Sequence, residues 1–285
     1  MLFQANFTNF GFWDAIEMGL YFIIVGYFFL LFFYFLFMRY RTSRKAYWLF
    51  FSLFFLCFGI ARVFFIVYYF FAPELHTGTN DVEIVAFLML NYRFATFFTW
   101  IGVACATGVL GILLFPPESR EKTKTKQSLK DWLKNRKNLE LLIRIGLFVL
   151  PIIIGILALT LSDGFFMDPD FPDDYPLITV ELIVIRFGSW QYPLGRFLNN
   201  FIFMPLFLVL IPFVFLYLAW KTFGVLRRSY ALNAIGFILY FVGGRIMQGA
   251  LDVATLPHLR AVMPPLLILL ALLILVIANS YEQLK

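Results

Sequence analysis

Two arginines lie near the centre of long apolar segments, Arg62 in the stretch CFGIARVFF and Arg245 in YFVGGRIMQ. A guanidinium group keeps its proton at any physiological pH. A charge near the bilayer centre costs about 2.5–3.5 kcal/mol on insertion scales. Each side chain therefore needs a partner inside the protein, and an arginine can hold a carboxylate or phosphate by two parallel hydrogen bonds. Both residues are candidates for binding an anion within the membrane.

Further polar residues fall in the same half of the apolar segments. Asp14 and Glu17 are three residues apart and share one helix face, and Asp252 follows Arg245 by two helical turns. The remaining candidates are Arg93, Asn91, Asn200 and Gln248. These residues could line a ligand cavity that opens to the outside, or they could form a closed network of arginine–carboxylate pairs. The sequence leaves both arrangements open.

The composition requires a membrane environment for most of the chain. Of its 285 residues, 62% are hydrophobic and 14% charged, whereas soluble domains are about 45–50% apolar and about 25% charged. A bilayer-spanning helix needs about 20 mainly apolar residues. We therefore predict an all-α integral membrane protein that forms a single domain over residues 1–285. Its seven predicted spans are Ala15–Met38, Tyr47–Ala72, Glu83–Phe115, Leu141–Leu161, Phe197–Trp220, Tyr230–Leu256 and Ala261–Tyr281.

The distribution of charge predicts the orientation of the spans. The connections on one side, with the C-terminal tail, hold 17 of the 23 Lys and Arg residues and five acidic residues. Short cytoplasmic loops carry the excess of positive charge. The N-terminus is therefore predicted outside and the C-terminus in the cytoplasm of a multi-pass cell-membrane protein. Because the basic residues lie between apolar segments, they argue against nucleic acid as a partner.

The basic inner loop, residues 116–140, contains a predicted amphipathic segment. Trp132 shares one helical face with two leucines, and basic residues surround that face. Such a helix would lie among the anionic lipids of the inner leaflet, although the loop could instead serve only to fix topology. The predicted membrane-surface residues are Leu129, Trp132, Leu133, Lys130, Lys134 and Arg136.

The acidic outer loop, residues 162–196, begins with SDGFFMDPDFPDDYP and continues with LITVELIVIRFGSW. The second part is rich in β-branched residues and ends in a Gly-Ser turn signal. It predicts a small β-type or irregular structure between the fourth and fifth helices. A short half-buried helix is the alternative, because an apolar run of this length does not show its type by periodicity.

The segments around the two central arginines also resemble each other. RKAYWLFFSLFFLCFGIARVFF, from Arg44, aligns without a gap with RRSYALNAIGFILYFVGGRIMQ, from Arg227. The alignment pairs Tyr47 with Tyr230 and Arg62 with Arg245. It suggests a parallel 3+1+3 repeat with halves 12–115 and 195–281 and with helix 4, residues 141–161, as linker. Coincidence between two helices with similar packing needs is the alternative.

The sugar-transporting SWEET family and microbial rhodopsins share this 3+1+3 topology, but their motifs are missing here. The first span has no proline, so the paired prolines of SWEET proteins are not found. The seventh span has no lysine that could form a Schiff base with retinal. Topology alone does not carry function.

The sequence also argues against an enzyme and against cofactors. Its two cysteines, Cys57 and Cys105, lie inside apolar segments and are expected to be buried thiols. With two histidines in the chain, a zinc or haem site is hard to build, and we predict no metal site. The metalloprotease, serine-hydrolase and nucleotide-binding motifs are missing, so no catalytic residue is nominated.

Two functions fit the intramembrane charges. The first is a secondary transporter or channel-like carrier of a small anionic solute, with the site near the midplane at the repeat interface. The second is a seven-helix receptor that binds an extracellular ligand and signals through a separate cytoplasmic protein. A structural subunit, in which the charges only fix helix register, is a third reading.

Overall fold

The structure is a computed structural model that describes residues 10–75, 80–115, 136–176, 180–188, 190–247 and 256–280. At Arg136 and Arg245 it describes the main chain but not the side chain. The proposed inner-leaflet residues from Leu129 to Lys134 lie outside the described part, and so do Gln248 and Asp252.

The protein is a mostly helical, multi-pass membrane protein, and its described residues contain seven helices that are long and apolar enough to cross a bilayer. We label them α1 (Phe12–Ser43), α2 (Ala46–Phe71), α3 (Asp81–Leu114), α4 (Asn138–Thr160), α5 (Leu194–Lys221), α6 (Gly224–Gly244) and α7 (Pro257–Ser280). Five of them begin within three residues of the predicted position, and α7 begins four residues earlier than predicted. α6 begins six residues earlier than predicted, because its first turns carry Arg227 and Arg228, which are typical of a loop.

Local backbone features explain several helix boundaries. α1 begins after Gly11, whose main-chain N–H donates to the Asp14 carboxylate at 2.9 Å, and a carboxylate is favourable at a helix N-terminus. Arg44 separates α1 from α2 in a left-handed conformation, with φ 53°. Gly224 takes φ 64° at the start of α6, a conformation that costs glycine little.

Within the described ranges, four of the seven helices contain a π-helical segment: Tyr34–Tyr40 in α1, Val67–Phe71 in α2, Leu198–Phe203 in α5 and Val242–Met247 at the end of α6. A π-segment inserts an extra residue in a turn and often occurs at a functional site. The segment in α5 carries Asn199 and Asn200, which belong to the site described below.

The helices pack as two groups. α1, α2 and α3 pack in sequence order, with α4 against α3, and α5, α6 and α7 form the second group. The groups meet where α1 packs on α7 and where α3 approaches α5. This grouping matches the division into halves that the repeat requires, but neither the repeat nor the orientation of the bundle is tested by it, and both stay predictions.

Aromatic side chains fill the centre of the bundle. Phe28, Phe35, Phe55 and Trp100 are almost completely buried, together with Phe237 of the second group. Ring pairs such as Phe28–Tyr240, at 6.3 Å between centroids, connect the groups. Edge-to-face and offset contacts at these distances add to the energy of apolar burial.

A cap covers one end of the bundle between α4 and α5. It contains an antiparallel hairpin, β1 (Val184–Phe187) and β2 (Trp190–Pro193), in which Ile185 pairs with Tyr192. Gly188 takes φ 64° in the turn. The hairpin form of the two alternatives is therefore confirmed. We call this the hairpin end of the bundle.

The rest of the cap packs on the hairpin ends of α2 and α3. Phe166, Met167 and Tyr175 form a buried cluster with residues that include Tyr68 and Tyr92. Burial, with help from the carboxylates of Asp174 and Asp81, raises the pKa of the Tyr175 hydroxyl. The cap is therefore a packed part of the protein.

Candidate functional site

A partly open cavity of about 310 Å³ lies between the two helix groups at the hairpin end. Its walls come from α2, α3, α5, α6 and α7, with Tyr192 contributed by β2. The volume is at the lower end of the 300–1,000 Å³ typical of small-molecule sites. Three arginines whose side chains the structure describes line it, Arg62, Arg196 and Arg260. Among the described residues, no Asp or Glu lines it.

Arg62 enters the cavity from the middle of α2. Its guanidinium carbon lies 4.4 Å from the centre of the Tyr21 ring of α1. A ring face attracts a cation at this distance, but it accepts none of the five N–H donors in the way a carboxylate does. Within the described chain, no carboxylate oxygen comes within ion-pair distance of Arg62. Arg62 therefore faces the inside of the bundle, and its contact is an aromatic ring.

Arg260 reaches the cavity from the first turn of α7. Its Nε atom is buried and finds no hydrogen-bond partner in the described ranges. Glu17 of α1, 8% exposed, interacts electrostatically with Arg260 and more weakly with Arg62. Glu17 is thus buried near the two arginines and is not itself part of the cavity wall.

Arg196, from the first turn of α5, is held by the cap and by α2 and α3. Its Nε donates to the main-chain oxygen of Phe166, and its other nitrogens contact Asp168 at 3.2 Å and the Tyr68 hydroxyl at 3.0 Å. Its guanidinium also lies 4.5 Å from the Tyr92 ring centre. These contacts use three of its five N–H donors, and the Asp168 carboxylate balances its charge, so Arg196 fixes the cap over the cavity. Arg62 and Arg260 have no such ion pair within the described chain.

A line of hydrogen bonds forms the polar wall opposite Arg62. The Trp100 indole N–H donates to Asn199 at 2.6 Å, Asn199 donates to Asn200 at 3.2 Å, and Asn200 donates to the Tyr192 hydroxyl at 3.2 Å. Asn199 and Asn200 are adjacent in sequence, and both line the cavity from the π-segment of α5. On the α3 side, Thr96 and Thr99 add hydroxyl groups.

Aromatic side chains close the floor of the cavity. The rings of Phe58 and Tyr240 are 5.6 Å apart, and Phe54 and Phe237 are 5.7 Å apart one turn further toward the other end. A void of about 10 Å³ remains among these rings, and even one water needs about 10–15 Å³. The cavity is therefore closed toward the end opposite the hairpin.

The structure separates the predicted site residues. Arg62 and Asn200 line the cavity, and Glu17 is buried near it. Arg93 instead pairs with Asp163 at 2.8 Å and donates to the Leu159 carbonyl at 3.1 Å. Two further candidates make local hydrogen bonds: Asn91 donates to Phe87 in its own helix, and Asp14 accepts from Gly11.

Arg196 and Arg260 are the main residues that the sequence reasoning missed. Both lie in the first turn of a membrane helix, where a charge can reach the interface and costs little. Nothing in the residues around Arg196 or Arg260 indicates that these side chains face a common site. Only the arrangement of helices shows that they point into the same space as Arg62. The two cysteines are buried free thiols, as predicted.

No family model matches the chain, and no curated protein or solved structure is detectably similar to it. Its function must therefore be argued from the cavity.

Proposed function

We propose that the protein is a carrier of a small anionic solute, which it binds in the cavity at the hairpin end. One observation carries the proposal. Arg62 and Arg260 line a common cavity, and no carboxylate of the described chain lines it with them. The predicted orientation places the mouth of this cavity on the outside of the membrane.

The energetics favour an anion as the occupant. Arg62 lies within the span of α2, where an unpaired charge costs about 2.5–3.5 kcal/mol. An anion bound by both guanidinium groups would offset this cost, because charge-assisted hydrogen bonds are stronger than neutral ones and are strengthened where water is excluded. Glu17 offsets part of the positive charge, but it interacts mainly with Arg260.

The position of the cavity supports transport over simple binding. It lies between the two helix groups, and in repeat-built carriers the solute site lies at the interface between such units. The groups contact each other across the floor mainly through the rings of α2 and α6. Rocking one group against the other would open that floor and close the hairpin end, which is the motion that alternating access requires.

Flux measurements in proteoliposomes test the proposal. We expect uptake of an organic anion such as 3-phenylpropionate by the wild-type protein. Uptake should fall at least tenfold in Arg62→Gln and in Arg260→Gln. Arg186→Gln is the matched control, because it removes the same charge from an exposed position on β1.

Two results would contradict a carrier. If neither Arg62→Gln nor Arg260→Gln changed uptake, the anion would cross the protein by a route that avoids this cavity. Anion binding that depends on Arg62 without any flux would instead support the receptor hypothesis, in which the cavity is a ligand site.

A further inference from the structure

We infer that the cavity selects an organic monoanion, a carboxylate with an aromatic or other apolar body and without an ammonium group. This inference rests on the proposed anion site, and it names the class of solute.

The charge of the cavity region fits one negative charge. Arg62 and Arg260 contribute two positive charges, and an ionised Glu17 near them contributes one negative charge. The third arginine, Arg196, is paired with Asp168. With Glu17 ionised, the described residues leave one net positive charge at the site, which a single carboxylate would balance. A dianion would be in excess.

The donors at the charged end suit a carboxylate. Each guanidinium presents parallel N–H groups that match the two oxygens of a carboxylate. Arg62 has no ion-pair partner within the described chain, and the Arg260 Nε lacks a hydrogen-bond partner there. The two side chains come from α2 and α7, so one anion held by both would also bridge the two helix groups.

Apart from the polar wall formed by Asn199 and Asn200, part of the cavity surface suits an apolar body. Phe58, Phe65 and Phe241 line the cavity, as do Met204 and Leu208. A hydrated inorganic ion would leave these surfaces facing water. A ligand that covers them gains affinity as its apolar part grows, by about fourfold for each methylene group that is fully buried.

The same walls disfavour an amino acid. A zwitterion would bring an ammonium group into the cavity, and such a group is normally paired with a carboxylate when buried. No Asp or Glu of the described residues lines the cavity, and the two arginines would repel a second cation. Discrimination against the zwitterion is therefore built into the charge pattern of the site.

Binding measurements on the full-length protein in lipid nanodiscs test this inference. Four probes are compared: 3-phenylpropionate, phenylalanine, 3-phenylpropan-1-ol and inorganic phosphate. The first three share an aromatic body and differ in charge, whereas phosphate is an anion without that body. We expect 3-phenylpropionate to bind at least tenfold more tightly than each of the others.

Variants locate the binding. Arg62→Gln and Arg260→Gln should each weaken 3-phenylpropionate binding by about 10- to 150-fold, the range for a lost charge-assisted hydrogen bond. Arg186→Gln should leave it unchanged. If a glutamine variant fails to fold, the ranking of the four probes on the wild-type protein still decides the question.

The outcomes separate the two proposals. Phosphate binding more tightly than 3-phenylpropionate, or phenylalanine binding equally well, overturns the inference but leaves an anion carrier in place. Tight binding of 3-phenylpropionate without flux supports the inference and contradicts the carrier. Binding of none of the three charged probes contradicts both.

Discussion

Arg39 and Asn279 join the first and last helices at the end of the bundle opposite the cavity. The Arg39 guanidinium donates to the main-chain carbonyl of Asn279 and lies 5.2 Å from the Trp48 ring centre. The Asn279 side chain accepts from the Tyr47 hydroxyl at 3.2 Å and donates to Asn233 at 2.9 Å. Four helices, α1, α2, α6 and α7, thus meet in one buried polar cluster.

Asn279→Ala should destabilise the protein. The substitution removes the amide donor to the side-chain oxygen of the buried Asn233, and an unsatisfied buried polar group costs about 1–3 kcal/mol. We expect the free energy of unfolding, measured by denaturant titration in mixed micelles, to fall by about 2 kcal/mol. Thr222→Ala is the control, because that hydroxyl bonds only to Leu218 of its own helix. Equal stability of the two variants would contradict the cluster.

Trp100→Phe should weaken both stability and anion binding. Trp100 is fully buried, and its indole N–H holds Asn199, which in turn holds Asn200 on the cavity wall. Phenylalanine keeps an apolar ring but leaves the Asn199 oxygen unpaired, at a cost of about 1–3 kcal/mol. Trp220→Phe changes a ring that is 77% exposed and should have no effect on either quantity. Unchanged affinity in Trp100→Phe would show that this wall takes no part in binding.

Gly102→Ala should disturb the floor of the cavity. A Cβ atom at position 102 would lie 2.4 Å from the Phe58 ring, so the ring would have to move. Overpacking of this kind costs about 1–3 kcal/mol, and because Phe58 lines the cavity, the affinity for the anion should fall as well. In Gly26→Ala the added Cβ meets nothing within 4 Å. That control should be neutral or slightly stabilising, because alanine favours a helix over glycine. Thermal unfolding and ligand titration of both variants make the comparison.

The sequence predicted the helices better than the directions of their side chains. Span number and approximate bounds follow from apolar run length, because the bilayer fixes the length of a spanning helix. The inward orientation of Arg62 follows from its permanent charge. The sequence does not indicate which way the Arg93 side chain points. α3 is apolar on most sides, so its periodicity does not show which face meets α4.

Buried charges near helix ends were also misjudged from the sequence. Arg39 was counted with the loop residues that set topology, yet it is 8% exposed. Arg39 is buried although its sequence position is typical of a loop. α1 continues through a π-segment to Ser43, and this segment carries Arg39 into the bundle. Arg260 lies just before the predicted span, but α7 begins at Pro257 and holds Arg260 in its first turn.

Arg93 provides the sharpest contrast with the cavity arginines. It was predicted as part of the same ligand-binding or polar group as Arg62, but it pairs with Asp163, and the two side chains are 17% and 42% exposed. A partly exposed ion pair contributes about 0.2–1 kcal/mol, so Asp163→Asn should lower the free energy of unfolding by no more than this. Arg93→Gln should cost more, because it also removes the hydrogen bond to the Leu159 carbonyl. Neither variant should change the affinity for 3-phenylpropionate, whereas Arg62→Gln should reduce it at least tenfold. A loss of affinity in Asp163→Asn would mean that the charge of this pair acts on the cavity, and the assignment of binding to Arg62 and Arg260 would then be wrong.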